Sequence, residues 1–314
     1  MPRSLLALYI ALILAGLIAP WLGVYPVYLM TLYCFAIFAC AFNLLLGYGG
    51  MLSFGHAAYF GLGSYITSWL VTSAQWGTVP AIALGMLTAM AAGLVIGVLA
   101  IRRSGIYFAM ITLALAQLVY FVCLQAPFTG GENGIQGVSR GTLFGAVSLK
   151  SDLAMYYFVF VLLVLVFLAI RRIVSSPFGQ VLKAIRENEP RAVSLGYDVD
   201  RYKLLVFVLS AALAGLAGSL KALVLGFSTL TDVLQATSGE VILMTLLGGA
   251  GTFLGPVVGA GIVVTLQDML SDRVGSWVTV IIGAIFVLCV LAFRKGVVGE
   301  LQAWMERRRA RVAA

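Results

Sequence analysis

Apolar residues fill the chain in blocks of about twenty, separated by short polar stretches. The runs 5–22, 27–46, 51–73, 79–101, 105–125, 153–170, 204–224 and 274–293 are each close to the roughly 20 residues that an α-helix needs to cross hydrocarbon. The stretch 241–270 is different: Gly248, Gly249, Gly251, Gly255 and Pro256 interrupt it. One helix cannot tolerate that many breakers, and a first limb near Gly239–Leu247 is too short to cross alone. The pattern therefore predicts a broken pair there, a short limb followed by a full helix over 253–270. About ten membrane segments result.

Composition agrees with the pattern. Of 314 residues, 62% are hydrophobic and 10% are charged, against roughly 25% charged in ordinary soluble domains. So little polar surface excludes a soluble globule, and it equally excludes disorder or a secreted disulfide scaffold. No Asp, Glu, Lys or Arg occurs between Arg3 and Arg102. The expected class is an all-α polytopic membrane protein, with residues 1–314 forming one transmembrane domain. Cys34, Cys40, Cys123 and Cys289 lie inside apolar runs without a CxxC pair, as small buried hydrophobes do. The run after Arg3 has no small-x-small cleavage site and is followed at once by the next run, so an uncleaved first span is expected.

Charge fixes the orientation. With the N-terminus in the cytoplasm and a broken pair at 241–270, the inner side holds Arg3, Arg102, Arg103, Arg171, Arg172, Lys183, Arg186, Arg191, Arg201, Lys203, Arg294, Lys295 and the basic tail 296–314. Arg140, Lys150 and Arg273 fall outside, and Lys221 near an outer span end is expected to snorkel to water. A single span at 241–270 would move the tail outside, against the positive-inside rule. The net charge of +8 is thus an orientation signal, and nucleic acid is not an expected partner.

The acidic residues lie at span ends or in loops, none at a span centre. Ion-coupled carriers place an ionisable group at depth, and only His56 qualifies here. The chain also lacks a GxxxxGK[ST] phosphate loop, so neither an ion gradient nor ATP bound by this chain is its expected energy source. With one His and no metal-ligand cluster, nothing supplies acid, base or nucleophile, and an enzyme is not expected.

Glycines crowd two stretches, 47–63 (LGYGGMLSFGHAAYFGLG runs 46–63) and 248–261 (GGAGTFLGPVVGAG), which align loosely with each other. Two readings stand: close helix packing through small residues, or unwound backbone lining a translocation path near the middle of a two-fold repeat. The candidates for the path are Asn43, Gly49, Gly50, Ser53, His56, Gly248, Gly249 and Gly251. His56 likewise reads either as a satisfied packing residue or as a neutral hydrogen-bonding contact to solute.

The most informative polar segment is VSSPFGQVLKAIRENEPRAVSLGYDVDRYKLL, residues 174–205. Ser176 followed by Pro177 predicts a helix start. Phe178, Val181, Leu182 and Ile185 then recur at helical spacing as one apolar stripe, with Lys183, Arg186 and Glu187 on other faces. Pro190 opens a second short helix that Gly196 closes. The stripe either pads the membrane surface or docks a soluble partner.

Four blocks carry a family likeness: Asn43 through Tyr65, Thr129-Gly-Gly-Glu-Asn-Gly-Ile135, Ser176 through Ala192, and Leu247-Gly-Gly-Ala-Gly-Thr-Phe-Leu-Gly-Pro256. In this order they resemble LivM-type permeases of branched-chain amino-acid ABC importers. The resemblance implies a multi-pass permease subunit in the bacterial cytoplasmic (inner) membrane, with both termini cytoplasmic. It implies a homologous second permease, two cytoplasmic ATPase subunits that bind ATP and Mg, and an extracytoplasmic solute-binding protein. It makes 174–203 the coupling loop, with Pro177, Phe178, Val181, Leu182, Ile185, Arg186, Glu187, Glu189, Ala192 and Gly196 as its ATPase-facing pattern. The broader ABC-permease loop motif is only partly kept. Ala192 and Gly196 hold its spacing, while Pro190 and Arg191 stand where glutamate and alanine would be. Relatives in this group resemble carriers of urea, amides or other amino acids, and these remain the alternative substrates; a stand-alone ion-coupled carrier is the more distant one. Protease added outside sealed right-side-out vesicles should leave segment 177–196 intact; cleavage there would overturn the orientation.

Overall fold

Helices that begin among polar residues start differently here from those that begin in apolar ones. In the computed structural model, which describes residues 16–23, 25–143, 147–274, 277, 280–285, 287 and 296–300, four helices have a side-chain N-cap. Ser151 caps α5 (Asp152–Ser175), Ser176 caps α6 (Pro177–Glu187), Asn188 caps α7 (Glu189–Ser194) and Asp198 caps α8 (Val199–Leu225). Each begins in a polar loop, where an oxygen must occupy otherwise free N–H groups. The helices α1 (Pro26–Asn43), α2 (His56–Thr72), α3 (Thr78–Ala100) and α4 (Ile106–Gln125) have no such cap. After α8 come α9 (Gln235–Gly248) and α10 (Gly255–Val274).

Among the described residues, five helical stretches are long and apolar enough to cross a membrane: Pro26–Tyr48, Thr78–Ala100, Ile106–Gln125, Asp152–Ser175 and Val199–Leu225. The architecture is that of an all-α polytopic membrane protein. Two boundaries move relative to the sequence pattern. The run 51–73 becomes helical only at His56, because 49–55 is unwound, and the run 204–224 extends back to Val199 because Asp198 caps it. The short limb before the second glycine cluster is real, spanning Gln235–Gly248. The start of the first expected span, most of 274–293 and the tail beyond residue 300 lie outside the described residues.

α8 is the central element. It packs against α1, α2 and α3, and most residues from Val206 to Val224 are buried. Small residues make this possible. A Cβ on Gly218 would strike the Phe60 carbonyl of α2, one on Gly63 would strike Gly215, and one on Gly93 of α3 would strike Ala211. Hydroxyls bond across these close contacts: Thr67 donates to Ser219 Oγ at 2.8 Å and Ser219 donates to the Gly63 carbonyl at 3.1 Å. In lipid, where apolar helices gain nothing by leaving hydrocarbon for one another, such approach supplies the dispersion contact that holds them.

The connecting segments gather at two ends. At one lie 49–55, 101–105, 176–198, 249–254 and the described residues 296–300; at the other lie 73–77, 126–151 and 226–234. The second end carries two short antiparallel ladders, β1 (Ile135–Gln136) with β4 (Phe227–Ser228), and β2 (Thr142–Leu143) with β3 (Val147–Ser148). Arg140 there pairs with Asp152 and donates to the Val224 carbonyl at 3.0 Å, tying the loop to α5 and α8. The chain before α1 is held at this end too: Tyr156 of α5 donates to the Gly16 carbonyl at 2.5 Å.

Lys221 does not snorkel. It is 6% exposed, and its Nζ lies 2.8 and 3.0 Å from the two carboxylate oxygens of Asp232. Asp232 also accepts from Ser64 of α2 at 3.1 Å, and Ser228 links Ser64 and Ser68 at 2.6 and 2.5 Å. The pair fastens α8 to the turn that leads into α9. Removing one partner strands a buried charge at a cost of about 3–5 kcal/mol, whereas replacing both by apolar residues is close to neutral. Lys221→Met should therefore lower thermal stability in detergent sharply, and adding Asp232→Leu should recover most of the loss.

Candidate functional site at the glycine breaks

α1 does not stop at Asn43 but widens into a π-turn, Leu44–Tyr48, before the chain leaves the helix. Gly50, at φ +69°, makes the turn that an L side chain would strain. The second break is built similarly: Gly249 and Gly251 have φ +113° and +83° between α9 and α10. The glycine-rich stretches are thus part unwound and part helical. Residues 49–55 and 249–254 are unwound, while Gly61, Gly63, Gly255 and Gly259 lie in regular helices and serve close packing. Gly248 is buried at the end of α9, where a Cβ would strike Gly255.

The two breaks touch. Asn43 Nδ2 donates to the Thr252 carbonyl at 3.0 Å, and its Oδ1 accepts from the Gly251 N–H at 2.8 Å. A Cβ on Gly47 would strike Asn43 Oδ1 and the Gly251 nitrogen. Other backbone groups of the breaks find side-chain partners too. Gly55 N–H donates to Ser53 Oγ at 3.3 Å, Phe54 N–H to Thr112 Oγ1 at 3.3 Å, and Gly255 N–H to Thr252 Oγ1 at 3.1 Å. Gly296, at φ +73°, sits against the backbone of Gly249 and brings a third segment to the junction.

The loop helices meet this junction from outside. Arg186 of α6 donates through Nη1 to the Gly47 carbonyl, and Lys183 lies over the Tyr48 ring at 5.7 Å. Tyr48 in turn packs against Phe253 of the second break, ring centroids 5.8 Å apart. A cleft of about 420 Å³ opens beside them, lined by Gly49, Gly50, Arg103, Arg186, Glu189 and Lys203 among others. Lys203 and Glu189 form an ion pair at 2.6 Å across it.

The apolar stripe of α6 is covered by the chain itself. Leu182 is fully buried in the main core, Ile185 packs with Ala192, Val199 and Val181, and Phe178 stacks on Tyr202 at 5.4 Å. Pro177 and Glu187 are exposed, and Gly196 closes the loop at φ +84°. The apolar side chains left open are Val193, Leu195 and Tyr197, at 58%, 68% and 40% exposure. Sequence reasoning missed this second surface because it carries no periodic stripe.

His56 lies away from the cleft lining, fully buried, with Nε2 2.7 Å from Ser210 Oγ and Phe42, Tyr59 and Phe207 edge-on around it. Ser210 itself donates to the Ala41 carbonyl at 2.5 Å. Its partnership with His56 spans helices far apart in sequence, and no spacing signal reveals it. Among the described residues, no group of three or more His, Cys, Asp or Glu could hold a metal ion.

Apolar helices packed through small residues, with unwound glycine segments tied to a polar surface loop, define a multi-pass α-helical membrane protein. The chain belongs to the family described as branched-chain amino acid transport system / permease component, whose family model matches residues 24–290. It is similar to the high-affinity branched-chain amino acid transport system permease protein LivM of Escherichia coli (strain K12), 29% identical over 280 residues, 82% of this chain and 66% of that protein. It is similar also to the probable branched-chain amino acid transport permease protein LivM of Methanocaldococcus jannaschii, 25% identical over 82% of this chain and 81% of that one. The high-affinity permease protein LivH of Salmonella typhimurium is 25% identical over 85% of this chain and 91% of its own length. The chain thus spans just under two thirds of the length of the Escherichia coli relative. No solved structure matches it.

Asn43 is 3% exposed, so Asn43→Ala would leave the Gly251 N–H and Thr252 carbonyl without their partner at about 1–3 kcal/mol. Thermal unfolding in detergent should show that loss, with limited proteolysis gaining a cut within 249–254. An unchanged melt and digest would show that Asn43 does not hold the breaks together.

Proposed function

We propose that the chain is the membrane-spanning permease subunit of an ATP-binding-cassette importer that moves branched-chain amino acids into the cell. Its partners are a homologous second permease, two cytoplasmic ATPase subunits and an extracytoplasmic solute-binding protein, in the bacterial cytoplasmic membrane with the basic end inward. ATP and Mg²⁺ are bound by the ATPase subunits, and this chain contributes neither a cofactor site nor catalysis. Similarity to permeases named LivM and LivH alike supports the family assignment and a paired, homologous permease.

The observation that carries the reading is the seating of the 174–203 loop. Its inward stripe, Phe178, Val181, Leu182 and Ile185, rests on the chain's own helices, so the loop is held as a formed element without a partner. Its outward apolar residues Val193, Leu195 and Tyr197 stay exposed among the described residues, Tyr197 with its ring edge-on to Tyr202. They sit beside Arg191 on α7, at the end where basic residues gather. In this reading that outward surface meets the ATPase, Ala192 and Gly196 shape it, and Pro177, Glu187 and Glu189 frame it, while the Arg186 side chain turns from it to the Gly47 carbonyl. Gly49 and Gly50, which line the cleft, belong to the solute's exit. Asn43, Ser53, Gly248, Gly249 and Gly251 hold the breaks that move, and His56 packs the core behind them.

Co-expression should yield this chain together with its ATPase subunits. Leu195→Asp with Val193→Asp should lose the ATPases, because burying a charge in such an apolar contact costs at least about 2 kcal/mol, about thirtyfold in affinity. The permease itself should remain folded, since both positions are exposed. Solute accumulation by the isolated chain in empty liposomes would sink the reading.

A further inference from the structure

Arg186 is the only loop side chain that hydrogen-bonds to a glycine break among the described residues, and it touches both breaks. Its Nη1 donates to the Gly47 carbonyl at the end of the π-turn. The same nitrogen lies 3.3 Å from where a Cβ on Gly251 would stand, and its Cγ lies 2.9 Å from the corresponding position at Gly50. The stem therefore crosses the first break and the guanidinium reaches the second. A Cβ at Gly50 would strike the Arg186 stem and one at Gly251 would crowd its guanidinium, while one at Gly47 would strike Asn43 and the Gly251 nitrogen, which is a reason for glycine there beyond helix unwinding. Asn43 locks Gly251 to α1 immediately behind.

The mechanical consequence follows from what each side of this contact is attached to. α6 is short and well capped, and it is seated by Leu182 and Ile185, so it moves as a unit. The breaks are the places where α1–α2 and α9–α10 have already given up the regular helical ladder, so they bend at least cost. A rigid element joined by one charged, multi-donor side chain to two compliant ones acts as a strut. The guanidinium suits this role because it can hold one carbonyl while resting against a second backbone segment.

We propose that Arg186 is a positioning residue that sets the geometry of both glycine breaks from the coupling loop, so that loop movement and rearrangement of the breaks are one event. The inference rests on the importer reading above. It predicts that an altered Arg186 uncouples energy from transport without dismantling the complex.

The test uses the full complex of this chain with its second permease and ATPase subunits in proteoliposomes, supplied with solute-loaded binding protein and leucine as the probe solute. With Arg186→Gln, co-purification and basal ATP hydrolysis should persist, while leucine taken up per ATP hydrolysed falls about tenfold. Arg186→Lys, which retains a charged donor, should recover part of it. Were Arg186 merely structural, uptake and hydrolysis would fall together with the amount of folded complex and their ratio would stay constant, which overturns the proposal. A second measurement is independent of any Arg186 variant. A cysteine at Phe253 (Phe253→Cys) should react with a polar thiol reagent at rates differing at least threefold between nucleotide-free and ATP-bound complexes. Equal rates overturn the proposal as well. If the native chain does not assemble with ATPase subunits at all, the importer reading fails first; if the native complex transports and Arg186→Gln transports with an unchanged ratio, only the role of Arg186 falls.

Discussion

Backbone groups released from a helix inside a bilayer have no water to turn to, and the architecture of this chain follows from that constraint. Each unmatched N–H or C=O in hydrocarbon costs several kcal/mol, so an unwound segment survives only where protein supplies partners. Both breaks are provisioned in this way. Ser53, Thr112 and Thr252 take N–H groups with their hydroxyls, Asn43 takes one N–H and gives to one carbonyl, and Arg186 gives to another. These residues come from α1, α4, α6 and the breaks themselves, so the unwound segments cannot form before the helices around them have packed. The weakest parts of the helical ladder are thereby bound to the order of the whole.

The same constraint explains the use of small residues along α8. The hydroxyls of Ser219 and Thr67, which bridge α2, α3 and α8, sit where glycine has let two backbones approach: Ser219 beside Gly63 and Gly215, Thr67 beside Gly85. Close approach brings dispersion contact, and it also places carbonyls within reach of serine and threonine that would otherwise be orphaned. Just beyond them Lys221 and Asp232 use charge for the same purpose, but only as a pair ringed by Ser64, Ser68 and Ser228. Polar chemistry inside the chain is thus spent on holding helices. At the loop, by contrast, the apolar Val193 and Leu195 face outward among exposed polar residues.

Much of this was legible in the sequence, and the reason is physical. Span length, the lack of charge between Arg3 and Arg102, and the basic bias of one end are properties that the bilayer imposes on every helix separately, so they can be read locally. The caps at Ser176 and Gly196 are equally local, and both stand where their residue types predict. What stayed hidden depends on pairing between distant segments. Lys221 reads as a snorkelling residue until Asp232 is found beside it. The stripe Phe178–Ile185 reads as a surface waiting for a partner until Tyr202 and Val199 are found covering it. The glycines gave their clustering, but which of them unwind and which pack is decided by what stands opposite: Gly215 for Gly63, and the Arg186 side chain for Gly50.

The two breaks differ in how they are held, and the difference bears on which can move first. The 49–55 segment is fixed by partners on α4 and by its own serine, and it is crossed by Arg186. The 249–254 segment is held by Asn43, by contacts internal to the break and by Phe253 packed against Tyr48 and Phe167, with Gly296 resting on Gly249. Gly251 is therefore attached to the rest of the chain mainly through α1 and Arg186. α6 contacts the Gly47 carbonyl directly through Arg186, and Gly251 is contacted by both Arg186 and Asn43, so both breaks share the same two side chains. The two breaks are thus joined by a shared amide and a shared guanidinium, which is the arrangement that the proposed strut at Arg186 requires.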